Sequence, residues 1–294
     1  MDRGIIYIAS GQYFVDQATA SASSVKIHNP DLHISLFTDE NDVSDIFDKV
    51  NPLVRPVNGM ANKRLSGDHI IHDKNLYLDA DTRICANLQP IFDVLDDYEL
   101  AMAADSFEWN RQVYENNDIN LPSIFPEFNC GVIAYTDSNN TRTLFSRWNK
   151  IFDELDQSYV DHIDDQSSMR IALSQSDIKL FTLPPEYNFR LNRNFFAETT
   201  VKILHRIDAK YTDLAAYERL VNSSDRPRLI TYNDFPCDVQ VISQSTKYRL
   251  KRKLVLMSML LQNDVIRNQT LAKIKNKQKD DMSFQERIFY MLFG

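Results

Sequence analysis

The residues best suited to do chemistry stand together in Asn75-Leu76-Tyr77-Leu78-Asp79-Ala80-Asp81-Thr82. An apolar run of strand character ends in two aspartates spaced i, i+2, a spacing that puts both carboxylates on one face of a strand. At the carboxyl end of a strand in an α/β sheet, that face opens onto the ligand crevice. Two converging anions repel unless a cation neutralises them, and hard oxygen donors favour Mg²⁺ or Mn²⁺. A cation held there can bridge the phosphates of a nucleoside diphosphate and stabilise it as a leaving group. An arbitrary Asp-x-Asp is more often a turn whose carboxylates bond nearby backbone. Here the strand before the pair and the helical pattern after it favour the metal site.

The elements that must position this pair follow from periodicity and punctuation. Ile5–Ala9 reads as a buried strand, followed through Gly11-Gln12-Tyr13 by a small-residue helix from Val15 to His28 that Asn29-Pro30-Asp31 ends. Further strands are expected at Leu32–Thr38, Asn75–Leu78, Glu99–Ala103 and Gly131–Tyr135. Helices are expected at Ser44–Lys49, Leu88–Leu95, Thr141–Leu155 and Gln166–Gln175. Alternating strands and helices predict an α/β fold with a mostly parallel sheet covered on both faces. No repeat of fixed period and no low-complexity tract interrupts it.

Composition narrows the classes. The chain has 294 residues, 43% of them hydrophobic, enough for a substantial core, and only six glycines, which disfavours glycine-rich phosphate loops. Cys85, Cys130 and Cys237 are odd in number, far apart and without a CxxC pair, so neither a disulfide framework nor a zinc knuckle is indicated, which fits a reducing compartment. The short run after Met1 does not read as a signal peptide, and no apolar stretch reaches about 18 residues. Residues 245–294 hold eleven Lys and Arg against four Asp and Glu; since the whole chain carries −8, residues 1–244 carry −15. An acidic body argues against a nucleic-acid partner. Within the basic tail, Leu250, Leu254, Met257 and Leu261 form one helical stripe. That stripe suits either an anionic membrane surface or packing on the body or a second subunit. The expected organisation is a domain over 1–244 and a basic amphipathic helical tail over 245–294. The expected location is cytoplasmic, peripheral at the inner face of the membrane if the tail binds lipid.

Leu76-Tyr77-Leu78-Asp79-Ala80-Asp81-Thr82 resembles the DxD motif of GT-A (Rossmann-like) glycosyltransferases, in particular the glycogenin-like and bacterial lipooligosaccharide galactosyltransferase group. The likeness runs from Ile5 to about Lys210, some two-thirds of the chain, and other pieces follow in family order. Ile8-Ala9-Ser10-Gly11-Gln12-Tyr13 is similar to the first strand and nucleotide-binding turn, and Ala103-Ala104-Asp105 to the strand and loop after the DxD. Phe128-Asn129-Cys130-Gly131-Val132 matches the "FN-x-G-V" segment. Asp164-Asp165-Gln166 is similar to the "DQ" motif before a helix, and Leu204-His205 with Lys210 to the C-terminal metal and phosphate segment.

The resemblance implies a hexosyltransferase using a nucleotide-sugar donor, UDP-linked in the family, with Mn²⁺ or Mg²⁺ on Asp79, Asp81 and His205. It implies Lys210 and Lys63 (or its neighbour Arg64) near the diphosphate, and Ala9 and Tyr13 at the base. Asp105 and Asn129 would face sugar hydroxyls, and Gly131 would let backbone come close to the substrate. Asp165 and Gln166 would flank the anomeric carbon, with retained configuration; the acceptor would be a glycan, glycolipid or protein. Taken without the family, His205 reads as a core histidine, Lys210 as a solvated lysine and Asp165 as a helix cap. The chain departs from the family at two places. The turn Ser10-Gly11-Gln12 lacks an acidic residue, and Asp208 stands where a glycine is usual, with Tyr211-Thr212 after Lys210. Among rivals, a dehalogenase-type phosphatase needs Thr where Arg83 stands, and fingerprints of P-loop, dinucleotide and α/β-hydrolase sites are missing. A non-catalytic nucleotide-sugar-binding protein on the same fold is the remaining alternative.

Overall fold

The computed structural model describes residues 2–53, 64–105, 119, 121–122, 124–155, 165–191, 195–206, 214–224, 227–233 and 238–242. Two compact units divide the chain, Met1–Val241 and Ile242–Gly294. From residue 243 the second unit, and with it the tail reading, lies outside the described residues, as do Lys63, Lys210 and most of the loop 107–126.

The chain opens with β1 (Arg3–Ala9), α1 (Gln12–His28), β2 (His33–Thr38), β3 (Lys49–Pro52), β4 (Lys74–Leu78), β5 (Thr82–Ile84), α2 (Gln89–Asp93) and β6 (Leu100–Ala104). It continues with β7 (Phe128–Thr136), α3 (Asn139–Glu154), α4 (Asp165–Ser174), β8 (Leu180–Leu183), β9 (Phe189–Arg190), β10 (Phe195–Ala197), β11 (Ile203–His205), α5 (Leu214–Val221), β12 (Arg228–Asn233) and β13 (Asp238–Ile242). Seven strands form the main sheet in the order β3-β2-β1-β4-β7-β6-β8. Its pairings are parallel except where β7 lies antiparallel between β4 and β6. The mostly parallel α/β sheet read from the sequence is therefore present.

Period-two side-chain alternation splits the core across this sheet. Ile5, Tyr7, Leu76 and Leu78 pack with Val15, Ala18, Ala22 and Val25 of α1 and with Phe92 of α2. Ile6, Ile8, Tyr77 and Ile133 pack on the other face with Phe145 and Trp148 of α3 and Met169 of α4. The small residues of α1 let it close against β5: Ser24 Oγ accepts from the Ile84 backbone N–H, and Ser21 Oγ lies 2.8 Å from Thr82 Oγ1. On the opposite face, the Trp148 indole N–H is shared between Asp165 O and Ser168 Oγ, both at 3.0 Å. That contact fixes the first turn of α4.

One expected helix is corrected. Ser44–Lys49 is a turn followed by β3, which starts at Lys49. Ser44 Oγ instead accepts from Ile46 N, a local bond of the kind that competes with helix formation. Asp48 is drawn to α1 and β2, accepting from Lys26 Nζ at 2.9 Å and from Ile34 N at 2.8 Å. No helix among the described residues is long and apolar enough to cross a membrane.

Candidate metal and donor site

Strand ends assemble the site. β1, β4 and β6 finish at the same edge of the sheet, where β7, running the other way, begins, so Ser10, Asp79, Asp105 and Asn129 share that edge. The remaining piece comes from a small sheet, β5-β11-β9. β5 starts directly after Asp81 and pairs antiparallel with β11 in the register His205↔Thr82. The chain thus brings a histidine from more than a hundred residues away beside the two aspartates.

Ligand atoms of Asp79, Asp81 and His205 all lie within 4.8 Å of one another. His205 Nε2 is 3.3 Å from Asp81 Oδ1 and 3.5 Å from Asp79 Oδ2. That nitrogen is buried, and the two carboxylates are the charged groups it faces. Burial lowers the His205 pKa, but the charge of Asp81, with contributions from Asp79, outweighs it and the net shift is upward. Tyr77 OH donates to Asp79 Oδ1 at 2.7 Å, and burial together with the Asp79 charge raises the phenol well above its usual range. Two carboxylates and one imidazole with a buried nitrogen turned toward them are a donor set able to hold a divalent metal ion. The residues fit the metal.

A second set of contacts joins this centre to the residues expected around the sugar. His205 Nδ1 is 2.7 Å from Asn188 Oδ1, and Asn188 Nδ2 donates to Asn129 Oδ1 at 2.8 Å. Asn129 Nδ2 donates to Gln166 Oε1 at 2.7 Å, and Gln166 Nε2 donates to Glu127 Oε1 at 3.1 Å and Asp105 Oδ2 at 3.4 Å. Arg190, itself buried, pairs with Asp105. The Asn129 amide, expected to face a sugar, is thus engaged within the protein. Gly131 has a further role. A Cβ there would lie 2.2 Å from His205 Cε1, so the missing side chain makes room for the imidazole.

At the first turn, Gly11 has φ 83, a conformation glycine adopts without strain, and begins α1. Asp39 pins that turn, accepting from Ser10 Oγ at 2.7 Å and Gly11 N at 3.0 Å, and these bonds hold its carboxyl below the usual range. Ala9 is buried in the core, whereas Tyr13 is 55% exposed beside Phe14. Asp165 opens α4, and Gln166 behind it is buried. Arg64 gives its guanidinium to α3, bonding Asn149 O and Asp153 and stacking over Phe152. Asn188, Arg190, Glu127 and Asp39 are single polar residues without motif spacing, which only the topology unites with the site; Tyr77 lies within the motif itself, where sequence reading gave it no role of its own.

No family model matches the chain, and no curated protein matches it. Solved structures do. The glycosyltransferase GlyE of Streptococcus pneumoniae TIGR4 matches with a TM-score of 0.50 and 18% identity, over 71% of this chain and 55% of that one. Galactosyltransferase LgtC, solved with donor and acceptor sugar analogs, matches with a TM-score of 0.47 and 19% identity, over 71% of this chain and 88% of LgtC. Mouse xyloside xylosyltransferase 1 in its apo form gives 0.48 and 13%, over 70% of this chain and 97% of that one. At these identities the likeness is one of fold. This chain spans about half the length of GlyE.

Proposed function

We propose that this chain, which has the GT-A fold of glycosyltransferases, transfers a hexose from a nucleotide-diphosphate sugar to a glycan, glycolipid or protein acceptor in a metal-dependent reaction. The reading assigns catalysis to residues 1–244 and UDP as the donor nucleotide. The observation that carries it is the Asp79–Asp81–His205 cluster: three ligand atoms at a sheet edge, with a buried imidazole nitrogen aimed at two carboxylates.

Asp79, Asp81 and His205 would hold Mn²⁺ or Mg²⁺. A divalent ion bound there supplies charge neutralisation for a departing diphosphate. The chain's own residues do the rest. The Ser10–Gly11 turn, braced by Asp39, presents Tyr13 as an exposed aromatic face on which a base can stack. Tyr77 donates to one Asp79 oxygen and so orients the carboxylate. Asp105, its side chain buried and held by Arg190, would be a fixed acceptor for sugar hydroxyls. Gln166 is held by Asn129, Glu127 and Asp105, and with Asp165 at the start of α4 it would flank the reacting carbon, with the retained configuration that the family likeness implies. Preorganised dipoles and charges of this kind carry much of the catalysis in transfer reactions. Lys63 and Lys210 remain proposed diphosphate contacts.

The deciding experiment is Asp81→Asn, assayed for Mn²⁺-dependent donor hydrolysis and transfer over a panel of nucleotide-sugars. Several kcal/mol of lost charge stabilisation translate into a fall of about 100-fold or more, with the unfolding temperature near wild type. Near wild-type turnover by this variant would refute the assignment.

A further inference from the structure

The amides between His205 and Gln166 form a chain whose polarity is fixed from both ends. At one end the Gly131 backbone N–H donates to Asn129 Oδ1 at 3.0 Å, and a backbone N–H is always a donor. The Asn188 group facing that same oxygen at 2.8 Å is therefore its NH₂. The Asn188 group facing His205 Nδ1 at 2.7 Å is then the carbonyl oxygen, so Nδ1 carries the proton. At the other end the Glu127 carboxylate receives from Gln166 Nε2, which leaves Gln166 Oε1 to accept from Asn129 Nδ2. Every link donates in one direction, from the imidazole to the acidic residues beside Gln166.

Resting on the metal reading above, we infer that Asn188 is the positioning residue of the centre: it fixes His205 in the tautomer whose Nε2 lone pair faces Asp79 and Asp81, and through Asn129 it ties that ligand to Gln166. Asn188 is placed for this role by rigid backbone. It follows a 3₁₀ turn, Pro185–Tyr187, and its N–H bonds Pro185 O at 3.1 Å. Buried Glu186 in that turn accepts from the backbone N–H groups of Glu198 and Thr199 at 2.7 and 3.0 Å, while its own carbonyl accepts from Lys202 N. The turn is thus fastened to the segment leading into β11. β9 then begins at Phe189 and pairs parallel with β11 in the register His205↔Arg190, which keeps Asn188 within reach of the imidazole. Outer partners that orient a ligating histidine affect metal affinity by about 10- to 100-fold.

The test compares Asn188→Leu and Asn188→Asp with the full-length wild type, titrating Mn²⁺ alone by electron paramagnetic resonance. Asn188→Leu should bind Mn²⁺ about 10- to 100-fold more weakly. Asn188→Asp still accepts from Nδ1 but cannot donate to Asn129, so it should recover most of the affinity while kcat for donor turnover stays low. ¹⁵N spectra of metal-free wild type, at a pH where the ring is neutral, should show the Nδ1–H tautomer, a readout independent of any variant's folding. An Nε2–H tautomer, unchanged Mn²⁺ affinity in Asn188→Leu, or equal weakening in both variants overturns the inference and leaves the metal reading intact. A wild type that takes up no Mn²⁺ overturns both.

Discussion

The two ends of the main sheet hold the same local device and differ in what it faces. At one end the His72 ring sits on Gly4 of β1; at the other the His205 ring sits on Gly131 of β7. In both, a Cβ on the glycine would come within about 2.3 Å of the imidazole. His72 Nδ1 lies 2.6 Å from Asp2 Oδ2, as His205 Nδ1 lies 2.7 Å from Asn188 Oδ1, and each Nε2 is buried without a hydrogen-bond partner. The neighbours of Nε2 separate them. Asp79 and Asp81 lie within 3.5 Å of Nε2 in His205, whereas His72 packs edge-on to the His33 ring. Only Asp79, Asp81 and His205 form a potential ligand cluster among the described residues. A buried histidine on a glycine seat is a packing solution; converging carboxylates turn it into a candidate site.

The largest effect that can break this comparison comes from removing each ring. His205→Ala is expected to lower Mn²⁺-dependent transfer by about 100-fold or more. His72→Leu should leave turnover within about twofold and lower unfolding free energy by about 1–2 kcal/mol through the lost hydrogen bond and altered packing. Steady-state assays and urea unfolding on both variants measure the contrast, and comparable activity loss in the two would erase it.

A third buried histidine sharpens the contrast through pH. His69 Nδ1 accepts from the Ser66 backbone N–H at 3.0 Å, and its ring packs edge-on to Phe37. Burial lowers its pKa to about 4, opposed only in part by Asp68. A folded pKa below the unfolded value of about 6.5 means that the unfolded chain takes the proton first. The stabilisation is complete above pH 6.5 and is lost as pH falls toward 4, by about 3 kcal/mol if the whole shift counts. Urea unfolding between pH 7 and pH 4 should show this slope in wild type and a shallower one in His69→Gln. Equal slopes would mean that other groups dominate acid destabilisation.

What could be read from sequence follows from how locally each feature is encoded. The Asp79–Asp81 pair and its strand are contiguous, so alternation and spacing sufficed. β1, β2 and α1 carry long apolar patterns bounded by Gly11 and Pro30, and were legible for the same reason. β5, β9 and β11 are two or three residues long, too short for any periodicity, yet they bring His205 to the aspartates. His205 was therefore reached through family likeness and not through spacing. Asn188 had no motif at all; its role exists only because β9 pairs with β11. The antiparallel course of β7 was equally silent, since strand direction is set by connections and not by side-chain alternation.

The finest discrimination comes from the two glycine seats themselves. Gly4→Ala would place a methyl 2.3 Å from His72 Nε2, and Gly131→Ala one 2.2 Å from His205 Cε1. Neither ring can yield freely, because each is buried and tethered through Nδ1. Overpacking of this kind costs about 1–3 kcal/mol, so both variants should lose similar stability in urea unfolding. Their metal behaviour should diverge. Displacing His205 moves Nε2 away from Asp79 and Asp81 and pulls Nδ1 from Asn188, so Gly131→Ala should bind Mn²⁺ at least about tenfold more weakly. Displacing His72 disturbs only its contacts with Asp2 and His33, so Gly4→Ala should titrate like wild type. Equal Mn²⁺ weakening in the two would mean that general loosening of the sheet, and not the position of one imidazole, governs the centre.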